Sequence, residues 1–246
     1  MWITKKYQEV KNKMHTKKPN IDKKGILISI IILIGFSLFT WMWSEKNNGV
    51  IASVLGGIEI EDDLIKTLRL GKWLFLFAVY FLMLNKMLVD NRKIILFSLY
   101  RYRNFKEWWK QYFLKLQKEM FFYYFMCCIV WYLIEIITSN YSKHVIPIMI
   151  IFYMHIAMYF SIVIAANQIF NKSIMPCILV LVEGLSYIVA VQYPLIIFTY
   201  GMYCRMAMVE NKWFHIIVLL IEFIVCCLSY FCVIWLWKKD RLELVR

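Results

Sequence analysis

From residue 25 onward, long apolar runs alternate with short polar stretches, and each run is about as long as a helix that crosses a bilayer. Six runs stand out, at 25–44, 71–89, 119–137, 146–170, 175–200 and 213–237. A helix needs roughly 20 residues to cross the hydrocarbon core. The runs are continuous and lack dyad alternation, so helices rather than barrel strands satisfy the backbone hydrogen bonds in lipid. The pattern predicts an all-α integral membrane protein with six transmembrane helices over 25–237, an arm at 1–24 and a tail at 238–246. Trp41, Trp43, Trp73, Trp213, Trp235 and Trp237 lie at run ends, where an aromatic belt is expected.

Two polar stretches have a pattern of their own. In the arm, Ile3, Tyr7, Val10 and Met14 recur at helical spacing while Lys5, Lys6, Lys11 and Lys13 take other faces. This fits a short amphipathic helix at the lipid surface, and a disordered basic arm drawn to anionic lipid is the alternative. Between the second and third runs, Leu99, Tyr102, Phe105, Trp109, Tyr112 and Leu116 form one apolar stripe. Arg101, Arg103, Lys106, Lys110 and Lys115 supply the other faces, so this helix is expected to lie in the membrane interface before the third span. Such a helix either receives a push from a partner or anchors the loop to lipid.

Composition agrees with the runs: 62% of the 246 residues are hydrophobic, and mean hydropathy is +0.60. No room is left for a large soluble domain. The net charge of +13 is unevenly distributed. Lys and Arg number eight in the arm, eight in 90–118, one after Phe170 and four after Trp237, against six in the alternate connections. Under the positive-inside rule both termini are cytoplasmic, and the excess marks that side rather than a nucleic-acid site. The arm is too long and lacks the cleavage pattern for a secretory signal, so the first span is expected to remain in the mature chain. Six of the seven cysteines fall within runs and only Cys204 in an outer connection, which leaves no disulfide framework; the others read as small packing residues.

Three carboxylates interrupt the runs. On insertion scales such a group costs roughly 2.5–3.5 kcal/mol at mid-span, so it needs a partner, a cavity or an interfacial position. Glu183 and Glu222 count as deep, whereas Glu135 lies near an outer end where it is expected to reach water. Together with Asn167, Glu183 and Glu222 are candidates for a translocation pathway, the alternative being structural hydrogen bonds with Asn85, Asn167 or Gln168. Pro194, Gly201 and Arg205 suggest that the fifth span breaks near its outer end, either as a re-entrant element or as a kink followed by a loop. Gly49, Gly56 and Gly57 in the first outer loop read as turn formers.

Enzyme chemistry finds little support. There is no H-E-x-x-H pair, no glycine-flanked serine turn, and no histidine beside a cysteine, so His144, His155 and His215 read as packing or interfacial residues. No G-x-x-x-x-G-K-[ST] loop is present, so any ATP-driven role needs a separate ATPase.

The stretch from Leu99 to Lys110, with its Tyr-Arg-Asn-Phe-Lys core and Trp108-Trp109-Lys110 end, resembles the coupling segment of type-2 ABC transporter permeases. These are the membrane subunits of bacterial drug, bacteriocin and lantibiotic exporters. The segment from Gln192 to Arg205 is more weakly similar to their exofacial stretch. The resemblance implies that Tyr102, Arg103, Asn104, Phe105, Lys106, Trp108, Trp109 and Lys110 dock on a P-loop ATPase. It also implies that two permease subunits, identical or homologous, form the pathway in the bacterial cytoplasmic membrane. ATP and Mg would sit on the partner, and this chain would hold no cofactor and catalyse no reaction. The implied cargo is an amphipathic peptide or lipid-like compound, exported or expelled for self-protection. A membrane immunity or receptor protein that works without an ATPase is the alternative reading.

Overall fold

The computed structural model describes residues 23–42, 49–57, 70–80, 104–139, 141–170, 175–190, 200–204 and 212–238, and contains no strand among them. The helices are α1 (Lys23–Met42), α2 (Val50–Leu55), α3 (Leu70–Tyr80), α4 (Phe105–Thr138), α5 (Val145–Phe170), α6 (Met175–Ala190) and α7 (Lys212–Lys238). Of these, α4, α5 and α7 are long and apolar enough to cross a membrane, while α3 and α6 are apolar over shorter described lengths. The expected arm and tail, apart from the backbone of Lys23 and Lys24 and the side chain of Lys238, lie outside the described residues.

At the centre stands α5, whose residues are buried on nearly every side: Ile148, Phe152, Ile156, Tyr159, Phe160, Val163 and Ile164 all belong to the core. It packs most extensively against α7 and also touches α2, α4 and α6. Pro147 stands near its start, where a missing N–H leaves no hydrogen bond unmade. The outer face of α7 is lined by Ile216, Ile217, Leu220, Phe223, Ile224, Leu228 and Phe231, all exposed. An apolar face of that length is what a lipid-facing helix presents.

Helix α4 runs for 34 residues without interruption, roughly 51 Å, well beyond the thickness of a hydrocarbon core of about 30 Å. The expected surface helix and the third span are therefore one element over its described part. One stripe faces the core throughout: Trp108, Trp109, Phe113, Leu116, Met120, Tyr123, Tyr124, Cys127, Cys128 and Trp131. The opposite face changes character along its length. Lys106, Glu107, Lys110, Gln111, Lys115 and Lys118 are exposed first, then Phe121, Phe122, Phe125, Met126, Ile129 and Leu133. The exposed face thus changes from mainly charged to apolar after Lys118, while the buried stripe continues unbroken. Ser139, in the left-handed conformation, ends the helix with its N–H on the carbonyls of Glu135 and Ile136.

Glu135 is fully buried rather than at a water-exposed end. One of its carboxylate oxygens accepts the Ile51 N–H at 2.8 Å and the Ser142 hydroxyl. Ser142 Oγ in turn accepts the Ala52 N–H at 2.9 Å. The connection between α1 and α3 thus contains a short helix, α2, whose first free amides are capped by side chains from around the α4–α5 turn. Gly49 makes this possible, because a Cβ there would collide with Ser142 and the Glu135 carboxylate. The burial was missed because the capping donors come from a segment 84 residues away. Glu135→Ala strands the buried Ile51 N–H and the half-buried Ser142 hydroxyl and is expected to lower stability by about 3 kcal/mol, with Glu135→Gln losing less. Thermal unfolding of the purified protein in detergent or lipid measures both.

Candidate functional site

The deepest polar groups converge from four helices. On α5, His155 and Tyr159 stand four residues apart and so share a face. Trp73, in the first turns of α3, is buried among Phe77 and Phe152 instead of lying in an aromatic belt. Glu183 from α6 and Glu222 from α7 complete the group, and His155, Glu183 and Glu222 are fully buried. His155 lies ten residues into α5 and Glu222 ten residues into α7, each about 15 Å from its helix start.

Glu183 holds three hydrogens. The Trp73 indole donates to Oε1 at 2.9 Å, the Tyr159 hydroxyl to Oε2 at 2.5 Å, and His155 Nε2 lies 3.4 Å from the same Oε2. On the other side of the imidazole, Nδ1 lies 2.7 Å from Glu222 Oε1. Only the doubly protonated ring has a hydrogen for each carboxylate. Phe77 meets the imidazole edge-on at 5.6 Å and Tyr159 edge-on at 5.7 Å, so the network is walled by aromatic rings. The second oxygen of Glu222 is buried with no hydrogen-bond partner among the described residues.

The 200–204 segment covers this group. Tyr200, Gly201 and Met202 are buried, so this part of the connection between α6 and α7 folds inward. A Cβ at Gly201 would run into the His155 ring, and only glycine permits that approach. The Cys204 N–H donates to the Gly56 carbonyl at 2.8 Å, tying the segment to the end of α2.

Of the expected pathway residues, Glu183 and Glu222 meet here through His155 rather than through an amide side chain. Asn167 is buried on α5 but twelve residues from His155, about 18 Å along the axis. Asn85, Pro194 and Arg205 lie outside the described residues. His155 was read as a packing residue. Its carboxylate partners lie 28 and 67 residues away in the chain, so no local spacing marks it.

The expected coupling residues form a second cluster at the other end of the bundle. Tyr102 and Arg103 lie outside the described residues, while Asn104, Lys106 and Lys110 are exposed. Trp108 and Trp109 are buried within the chain itself. Phe105 stacks on Trp237 of α7 at 4.0 Å, Trp108 stacks on Tyr112, and the Trp109 indole donates to the Tyr230 carbonyl at 3.1 Å. Phe105 and Trp109 therefore join α4 to α7, Trp108 packs against its own helix at Tyr112, and the charged side chains carry the exposed face.

Among the described residues no group of His, Cys, Asp and Glu converges as a metal site. Searches against protein-family models, curated proteins and solved structures found no match.

His155→Leu leaves two carboxylates buried without their shared donor and is expected to cost about 3–5 kcal/mol. Adding Glu222→Gln removes one orphaned charge and is expected to restore part of that loss. Equilibrium unfolding of the single and double variants in mixed micelles measures the coupling.

Proposed function

We propose that the chain is the membrane-spanning permease subunit of an ATP-driven exporter. In this reading it is a six-span protein of the bacterial cytoplasmic membrane with both termini inside. It pairs with a second permease copy or a homologous one and with a separate P-loop ATPase that carries ATP and Mg. It moves or expels an amphipathic peptide or drug-like compound.

The observation that supports this reading best is the construction of α4. Its first turns present Lys106, Glu107 and Lys110 outward and bury Trp108 and Trp109 inward. A partner that pushes on the charged face acts on a helix continuous with the membrane-crossing part. The Trp109–Tyr230 hydrogen bond and the Phe105–Trp237 stack then carry the displacement to α7. Glu222 lies eight residues from Tyr230 on that helix, about 12 Å away, so the motion reaches the His155 network. An ATPase that changes shape with nucleotide would bias such a two-state element. The asymmetry of Lys and Arg, 21 against six between alternate compartments, supports the orientation.

The native complex is expected to contain a P-loop ATPase. Lys106→Glu with Lys110→Glu should leave the bundle folded and reduce cargo-stimulated ATP hydrolysis about tenfold by reversing the docking charge. Trp109→Ala should instead destabilise the chain by about 3–5 kcal/mol, because it empties a buried site. Protection or transport by the full chain in a membrane containing no ATPase would overturn the reading in favour of a self-sufficient immunity protein.

A further inference from the structure

The network around His155 contains more acid than its single base can balance. With the imidazole doubly protonated and both carboxylates ionised, the group carries one net negative charge in an apolar, fully buried setting. A lone charge there is costly, and a buried ionisable group relieves that cost by pairing or by neutralisation. The two carboxylates are not equivalent. Glu183 is hydrogen-bonded through both oxygens, by Trp73 on one and by Tyr159 and His155 on the other. Glu222 is bonded only through Oε1, and its buried Oε2 lacks a partner among the described residues.

We propose that His155, Glu183 and Glu222 form a proton-binding site in which Glu222 Oε2 carries an exchangeable proton. That proton reaches solvent only when the 200–204 segment lifts from His155. Binding makes one O–H bond and brings the group to net zero. Release breaks that bond, passes the proton to water and leaves a net charge of −1, which the closed site does not accommodate. Occupancy is therefore linked to the position of the segment.

The groups that face Glu222 are few. Among the described residues, α5 contributes His155, with Tyr159 behind it, and α6 contributes Glu183. From α3 there is the neutral indole of Trp73, and on α7 the thiol of Cys226 lies one turn away. The covering segment offers the backbone of Gly201. The site is independent of whether an ATPase binds the other end of the bundle.

Infrared difference spectroscopy of the full chain in lipid vesicles tests this directly. At neutral pH the protein should show a protonated-carboxyl C=O band, with a component lost in Glu222→Gln and shifted in Glu222→Asp. Glu135, also buried with a spare oxygen, supplies the comparison, and Glu135→Gln should leave that component in place. After transfer to D₂O the component should shift slowly. Gly201→Ala, which props the segment off the ring, should speed the shift by about tenfold. Met202→Ala, which loosens the segment without touching His155, should speed it to a lesser degree and serves if Gly201→Ala does not fold. A spectrum in which neither Glu222 variant alters the band overturns the proton's location. Exchange at wild-type rate in the folded segment variants overturns the linkage.

Discussion

A carboxylate carried into an apolar bundle must find hydrogens there, and Glu183 takes them from two neighbouring helices. Trp73 reaches it from α3, and His155 and Tyr159 reach it from α5. Each bond to a charged acceptor is worth roughly 1.5–3 kcal/mol, and loss of any one leaves a charge less solvated than before. The rotation of α3, α5 and α6 about their axes follows from this demand. Dispersion alone leaves such rotation loosely specified, because one apolar face packs nearly as well as the next. Glu222 extends the constraint to α7, again through His155. The aromatic rings of Phe77 and Phe152 close around the group and keep its local dielectric low, which strengthens the same bonds.

Glu135 meets the equivalent demand with one backbone amide, that of Ile51, and the Ser142 hydroxyl. Its partner is the start of α2, and the end of α2 holds the 200–204 segment through Cys204. The two buried acids are thus connected through a chain of local contacts: Glu135 fixes α2, α2 fixes the segment, and the segment rests on His155. The opposite end of the bundle is organised differently. There Phe105 and Trp109 of α4 meet Trp237 and Tyr230 of α7 by stacking and one indole hydrogen bond. Polar anchoring in one half and aromatic anchoring in the other leave α7 held at two points along its length.

The long helices were legible because hydrophobic runs of that length have few other stable destinations. The described bounds of α5 and α7 fall within one residue of the runs read from sequence. The join between the charged stretch at 105–118 and the following apolar run was not legible, since a change of surface polarity looks the same whether the helix bends there or continues. Glu183 and Glu222 stood out as deep charges, but their partner did not. His155, Trp73 and Tyr159 each have an ordinary role in a membrane chain as a packing or belt residue. What gives them another is proximity across separations of 24 to 110 residues, and no spacing rule reports that. Trp108 and Trp109, which the resemblance marks as docking residues, are buried within the chain. A large aromatic ring on a helix beside another helix is drawn into the contact between them, as Trp109 is against Tyr230.

The order of the network along the chain also bears on how the protein is made. His155 emerges 28 residues before Glu183 and 67 before Glu222. At a synthesis rate of roughly 5–20 residues per second, the second interval lasts about 3–13 s. During that time α5 must sit in its surroundings with a histidine whose partners do not yet exist, and a neutral imidazole is the form that does so at least cost. Arrival of α6 and then α7 supplies first one acid and then the other. The histidine thus becomes a marker of completion: until the last helix has been made and inserted, the central element of the bundle lacks the contact that sets its final orientation, and a chain truncated before α7 never acquires it.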